Sequence, residues 1–216
     1  MRILAIESSG RQGSVALLDG DRVQGETVFE TGMVHGRDIA PGIEALLRVA
    51  GLPPGGLDLV AVDIGPGSYT GLRVGLAAAK GLCLALGKPL AGVVSLDALA
   101  AQLAGRAKVV VPAFDAKWDQ VYGALYEGAT RTAGPFAEPP AAFAARVPAG
   151  ALVAGDALEK SEALFAARGA VVAPRRDWFP RASTVGRLAA ASGARLDPAT
   201  AAPLYLRKTE AELKRT

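Results

Sequence analysis

Residues 65–71 read GPGSYTG, a glycine-rich stretch between an apolar run and a helical pattern. Strand-to-helix turns of this kind can gather backbone amides around a phosphate, so nucleotide binding is the first chemistry to weigh. The order has neither the Gly-Lys-Ser/Thr of a P-loop nor the spacing of GxGxxG, and Pro66 removes one amide. The competing reading is one of shape. Gly65, Pro66 and Gly67 make a sharp exit from a central strand, and Ser68 or Thr70, either side of Tyr69, caps the helix. The sequence favours shape, with anion binding by the exposed amides left open.

Two acids invite a second chemistry. Glu7-Ser8-Ser9 and Asp115-Ala116-Lys117-Trp118 each follow a predicted strand. A facing carboxylate pair can do acid–base work; the plainer role is to accept hydrogen bonds from hairpin amides. Lys117 has the charge to pair with a phosphate, but Trp118 is expected to fill the space. His35 is the one histidine and reads as a capping or surface residue. Cys83 is the one cysteine, so no disulfide, zinc site or other cofactor is expected.

These residues need a scaffold. Residues 2–29 read as three short strands, with Asp19-Gly20 as a hairpin turn. Ile39, Ile43, Leu46, Leu47 and Ala50 then fall on one helical face, with Pro41 in or near the first turn and Gly51 as the stop. Residues 57–64 form a buried strand, about 70–86 a helix, PLAGVVS a strand and LDALAAQLAG a helix. This alternation implies a partly parallel sheet with right-handed crossovers. Residues 109–128 restart the strand, acid, turn and strand of the N-terminus, a weak internal duplication. Beyond a Pro- and Ala-rich stretch at 134–148, shorter strands and helices alternate.

Composition narrows the function classes. Of 216 residues, half are hydrophobic, 21% charged and 6% aromatic, which argues for a compact fold and against disorder. A net charge of +3 is permissive of RNA without demanding it. The basic spots are Arg175-Arg176 and the tail from Arg207-Lys208 to Lys214-Arg215, which Glu210 and Glu212 interrupt. The start lacks the pattern of a secretory signal, and Arg73, Lys80 and three glycines break the longest apolar stretch. A cytoplasmic protein without a membrane span is expected.

Two strand–hairpin units, each opening on an acid, outline the two-lobed α/β architecture of the actin-like ATPases, which includes sugar kinases and heat-shock proteins. In that superfamily the hairpins clamp nucleotide phosphates through glycines, and neither turn has a glycine at the critical place here. IESS, the histidine before an apolar helix, GPGSYTGLRVGLAAAKGLCLAL, PLAGVVSLDALA, Asp115-Ala116 with Val121-Tyr122, and PLYLRK together resemble the TsaB (YeaZ) family. The likeness spans almost the whole chain and is weak over 129–200. It implies a first lobe at 1–105 and a smaller, degenerate second lobe at 106–216.

The resemblance also implies a non-catalytic subunit of the machinery that makes threonylcarbamoyladenosine in tRNA. Such a subunit supports a catalytic paralogue, TsaD, alongside the ATPase TsaE, and touches tRNA only indirectly. TsaD-like chains hold a metal through His-x-x-x-His, where this chain has Ser95 and Leu99, groups that cannot replace two imidazoles. Family members usually show Asp-Thr-Ser where this chain has Glu7-Ser8-Ser9, and Ser where it has Gly36. Between Gly71 and Leu86 the only charges are Arg73 and Lys80, so the helix must be covered on nearly every side. The expected docking surface for TsaD, or for a second copy in a homodimer, is Ile39, Ile43, Leu46 and Leu47 with Gly71, Arg73, Gly75, Leu76, Ala79 and Lys80. The alternatives are an ATP-binding kinase or ATPase and a metal-dependent glycopeptidase-like protein.

Overall fold

The computed structural model describes residues 1–30 and 35–206. The side chain of His35 and the basic tail from Arg207 lie outside the described residues. The elements run β1 (Arg2–Glu7), β2 (Gln12–Asp19), β3 (Arg22–Glu30), α1 (His35–Val49), β4 (Leu59–Gly65), α2 (Tyr69–Leu86), β5 (Leu90–Val94) and α3 (Ser95–Leu103). The second half follows with β6 (Val109–Asp115), β7 (Val121–Glu127), β8 (Thr130–Glu138), α4 (Pro140–Arg146), β9 (Leu152–Ala154), α5 (Leu158–Ala166), β10 (Val171–Val172) and α6 (Ala182–Ser192).

The duplication is explicit in the sheets. One has the order β3-β2-β1-β4-β5 and the other β8-β7-β6-β9-β10. In each, the first three strands form an antiparallel meander and the last two join in parallel. The second copy has the shorter parallel strands, three residues in β9 and two in β10.

Alternation decides what each strand buries. On one face of the first sheet, Leu4, Ile6, Val60 and Val62 pack against Ile39, Ile43 and Leu47 of α1 and Leu76 and Ala79 of α2. On the other, Ile3, Ala5, Leu59 and Ala61 pack against Ala182, Val185 and Ala189 of α6. The second core joins β6, β7 and β9 to Leu96, Leu99 and Leu103 of α3, with Phe143 of α4 and Phe165 of α5. The last helix of the second half thus covers the first half's sheet, while α3 sits between the two, its leucines on the second core and Ala98 on the first.

Local signals hold in detail. Gly20 turns the β2–β3 hairpin at φ 57°, and Gly51 stops α1 at φ 62° while the Leu52 amide returns to the Leu47 carbonyl at 2.9 Å. Pro41 sits six residues into α1 rather than in its first turn, because the helix starts at His35.

Candidate functional site

The GPGSYTG turn leaves β4 against the first hairpin. A Cβ at Gly67 would lie 2.5 Å from the Ser9 carbonyl oxygen, and one at Gly75 would collide with the Ser8 hydroxyl. Ser68 caps α2, its Oγ accepting the Gly71 amide at 3.2 Å. Its own amide donates to the Ser9 carbonyl at 2.7 Å, and the Ser8 hydroxyl donates to the Gly71 carbonyl at 2.9 Å. The glycines thus serve close approach of backbone to backbone, and these amides are engaged internally rather than presented to an anion.

The two hairpin acids behave alike. Glu7 accepts the amide of Ser9 at 2.8 Å and its hydroxyl at 2.6 Å; Asp115 accepts the amide of Lys117 at 2.9 Å. Each braces the turn two residues on. Their electrostatics diverge. Burial acts against the charged form of Asp115, but Lys117 and Lys160 prevail and hold it below the ordinary carboxylate range. Glu7 is fully buried, and desolvation together with the neighbouring Asp63 raises it well above that range.

Asp63 is the functional-looking acid that sequence reasoning missed. It lies on β4 one residue beyond Val62, which pairs with Ile6 of β1, is fully buried, and is pushed up to about 7 by desolvation. The Ser95 hydroxyl donates to it, and Leu99 lies in the second core. The signal available was a lone acid inside an otherwise apolar strand. On the far side of Glu7, the first amides of α6 donate to Ser14 Oγ at 2.8 Å and to Glu26 at 3.0 Å. Phe179 covers the first turn, where a Cβ on Gly10 would meet its ring at 2.7 Å. Trp118 does not fill the second turn as expected and is 74% exposed.

The two first-lobe helices carry the other candidate surface. Of the ten residues expected to dock a partner, Ile39, Ile43, Leu47, Gly71, Gly75, Leu76 and Ala79 are buried within the chain itself. The repeating apolar stripe is the face that packs on the sheet. Arg73 and Lys80 are used internally as well. The Arg73 Nε–H donates to the Tyr205 hydroxyl at 3.0 Å, and Lys80 donates to the carbonyls of Ala199 and Ala201. They hold the 196–206 segment along α2, with the Leu204 amide bonded to the Ile64 carbonyl at 2.7 Å. Between α1 and α2 lies a groove of about 550 Å³, and two of the expected residues, Ile43 and Leu47, help to line it together with Leu52, Ala78, Gly81 and Leu82.

A family model described as TsaD, tRNA N6-adenosine threonylcarbamoyltransferase, matches residues 30–192. The tRNA threonylcarbamoyladenosine biosynthesis protein TsaB of Bacillus subtilis is 38% identical over 127 residues, 59% of this chain and 56% of that one. YeaZ from Pseudomonas aeruginosa superposes with a TM-score of 0.81 at 27% identity, over 95% of this chain and 99% of that one. The chain belongs to the TsaB (YeaZ) family. An uncharacterized protein of Mycobacterium tuberculosis is 38% identical over 190 residues, 88% of this chain and 83% of its own. The fold is the two-lobed α/β type of the actin-like ATPases. Two of the motifs behind the TsaB resemblance meet in space: Tyr69 and Arg73 of the GPGSYTGLR run contact Tyr205 of PLYLR, the two tyrosine rings 5.4 Å apart.

Proposed function

We propose that this chain is a non-catalytic subunit of the machinery that makes threonylcarbamoyladenosine in tRNA, acting by binding a TsaD subunit through the outer groove between α1 and α2. The groove carries the proposal. It is apolar, open and formed by two helices that the sheet already holds in place, so little ordering cost opposes docking. Ala77, Ala78 and Gly81 keep its floor low enough for close helix approach.

The non-catalytic reading rests on how the acids are used. Glu7 and Asp63 are sealed in the interior, and Asp115 is held by two lysines. Binding here activates TsaD only if the contact favours its competent conformation over others. TsaE joins the larger assembly, and a homodimer uses the same groove when TsaD is absent.

Sedimentation of the chain with TsaD tests this. Association is expected at micromolar concentrations, and Gly81→Arg should abolish it. A Cβ at Gly81 points into open space, so the variant keeps the fold while filling the groove. No association by the wild type, or unchanged association by Gly81→Arg, overturns the proposal.

A further inference from the structure

The β6–β7 turn exposes a large side chain that the fold does not use. Trp118 is 74% exposed, and Lys117, Trp118 and Asp119 hold φ of 59°, 53° and 55°. Left-handed backbone is unfavourable for residues with a Cβ, and such outliers gather at binding surfaces. The charges around the turn form two layers. Lys117 and Lys160 pair with Asp115, both at 2.9 Å; Arg11 and Arg175 pair with Glu159 at 3.1 and 2.7 Å. The two carboxylates lie beneath, at 11% and 19% side-chain exposure, whereas the cations are exposed by 60–69%. Solvent meets four fixed positive charges, opposed in the outer layer by Asp119.

A flat, exposed indole beside fixed cations matches an unstacked nucleobase and its flanking phosphates. An acidic protein would use the cations but has less need of the ring. We propose that the 117–119 turn, with Arg11, Lys160 and Arg175, is a contact site for single-stranded RNA, in which Trp118 stacks on a base and the cations hold the phosphates. This rests on the reading that the chain serves tRNA modification, goes beyond the indirect tRNA role implied by the family resemblance, and is independent of the α1–α2 groove.

The test is fluorescence anisotropy of a labelled, unstructured RNA oligonucleotide at low salt, with the chain alone and in complex with TsaD. Trp118→Ala should weaken binding about fivefold or more, Trp118→Phe should restore most of it, and Arg175→Gln should flatten the salt dependence. Gly81→Arg should leave the isolated chain's RNA affinity unchanged, which separates this site from the groove. Undetectable wild-type binding in both settings, or equal affinities for wild type and Trp118→Ala, overturns the proposal. So does a Trp118→Ala variant that loses only its association with a protein partner.

Discussion

Glu7 at the end of β1 and Asp63 on the adjacent parallel strand β4 lie on the same face of the first sheet, both fully buried, and among the described residues no hydrogen-bond donor reaches Glu7 Oε2 or Asp63 Oδ1. Burial disfavours the charged form of both, and for Glu7 the neighbouring Asp63 adds to it, so the folded pair holds a proton that the unfolded chain releases. The pair sits where the first hairpin, the GPGSYTG turn and α3 meet, which makes it a proton-linked joint rather than an open site.

The sign of its pH dependence follows. Both carboxyls are raised, so folded chains bind more protons than unfolded ones, and stability falls as pH climbs from the ordinary carboxylate range of about 4 through about 7. Glu7→Gln removes one buried charge and keeps an oxygen that can accept from Ser9. Thermal melts should show the variant more stable than wild type at pH 8, on the order of 1–2 kcal/mol, with that advantage gone at pH 4. Parallel pH profiles for the two proteins would contradict the shared proton.

Gly75 tests the shape reading of the GPGSYTG region. A methyl there collides with the Ser8 hydroxyl, so Gly75→Ala should destabilise by roughly 1–3 kcal/mol despite its better helix propensity. Ser8→Ala in the same chain should recover part of the loss. Denaturant titration of the double-mutant cycle measures the coupling, and strictly additive effects would argue against the contact.

What sequence could and could not reveal divides along physical lines. Asp19-Gly20, Gly51 and Ser68 act through their own few residues, so their turns and caps were readable locally. The acids at 7 and 115 exposed the duplication because each precedes a hairpin. Partner residues were harder. Periodicity finds the apolar stripe of α1 and α2, including Ile43 and Leu47 of the groove, but not the small residues such as Ala78 and Gly81 that complete its lining and carry little pattern. Asp63 and Ser95 are 32 residues apart, and only the fold makes them partners. Trp118 escaped because no sequence signal announces three non-glycine residues in left-handed backbone.

The 196–206 segment is held by contacts that single substitutions can release. Arg73 lies over the Tyr69 ring at 4.0 Å while donating to Tyr205. Arg73→Ala and Tyr205→Ala should each speed hydrogen exchange across 196–206, and Tyr205→Phe should do so less because it keeps the ring contact. Unchanged exchange in all three variants would show that the Leu204 and Leu196 backbone bonds suffice.

The crossing of α3 and α6 makes a stronger demand on the whole fold. A chain ended at residue 105 loses α6, so Ile3, Ala5, Leu59 and Ala61 lose the helix that covers their face. It also keeps Leu96, Leu99 and Leu103 of α3 without the sheet they pack on. Left exposed, these two apolar surfaces are of the kind that drives aggregation. The truncated chain should be insoluble or lack a cooperative melt. Joining residues 180–193 to it through a flexible linker should restore the first sheet's cover, and adding Asp or Glu in place of the three α3 leucines should restore solubility. A cooperative thermal transition in the 1–105 chain alone would show that the first sheet closes its core without the borrowed helix.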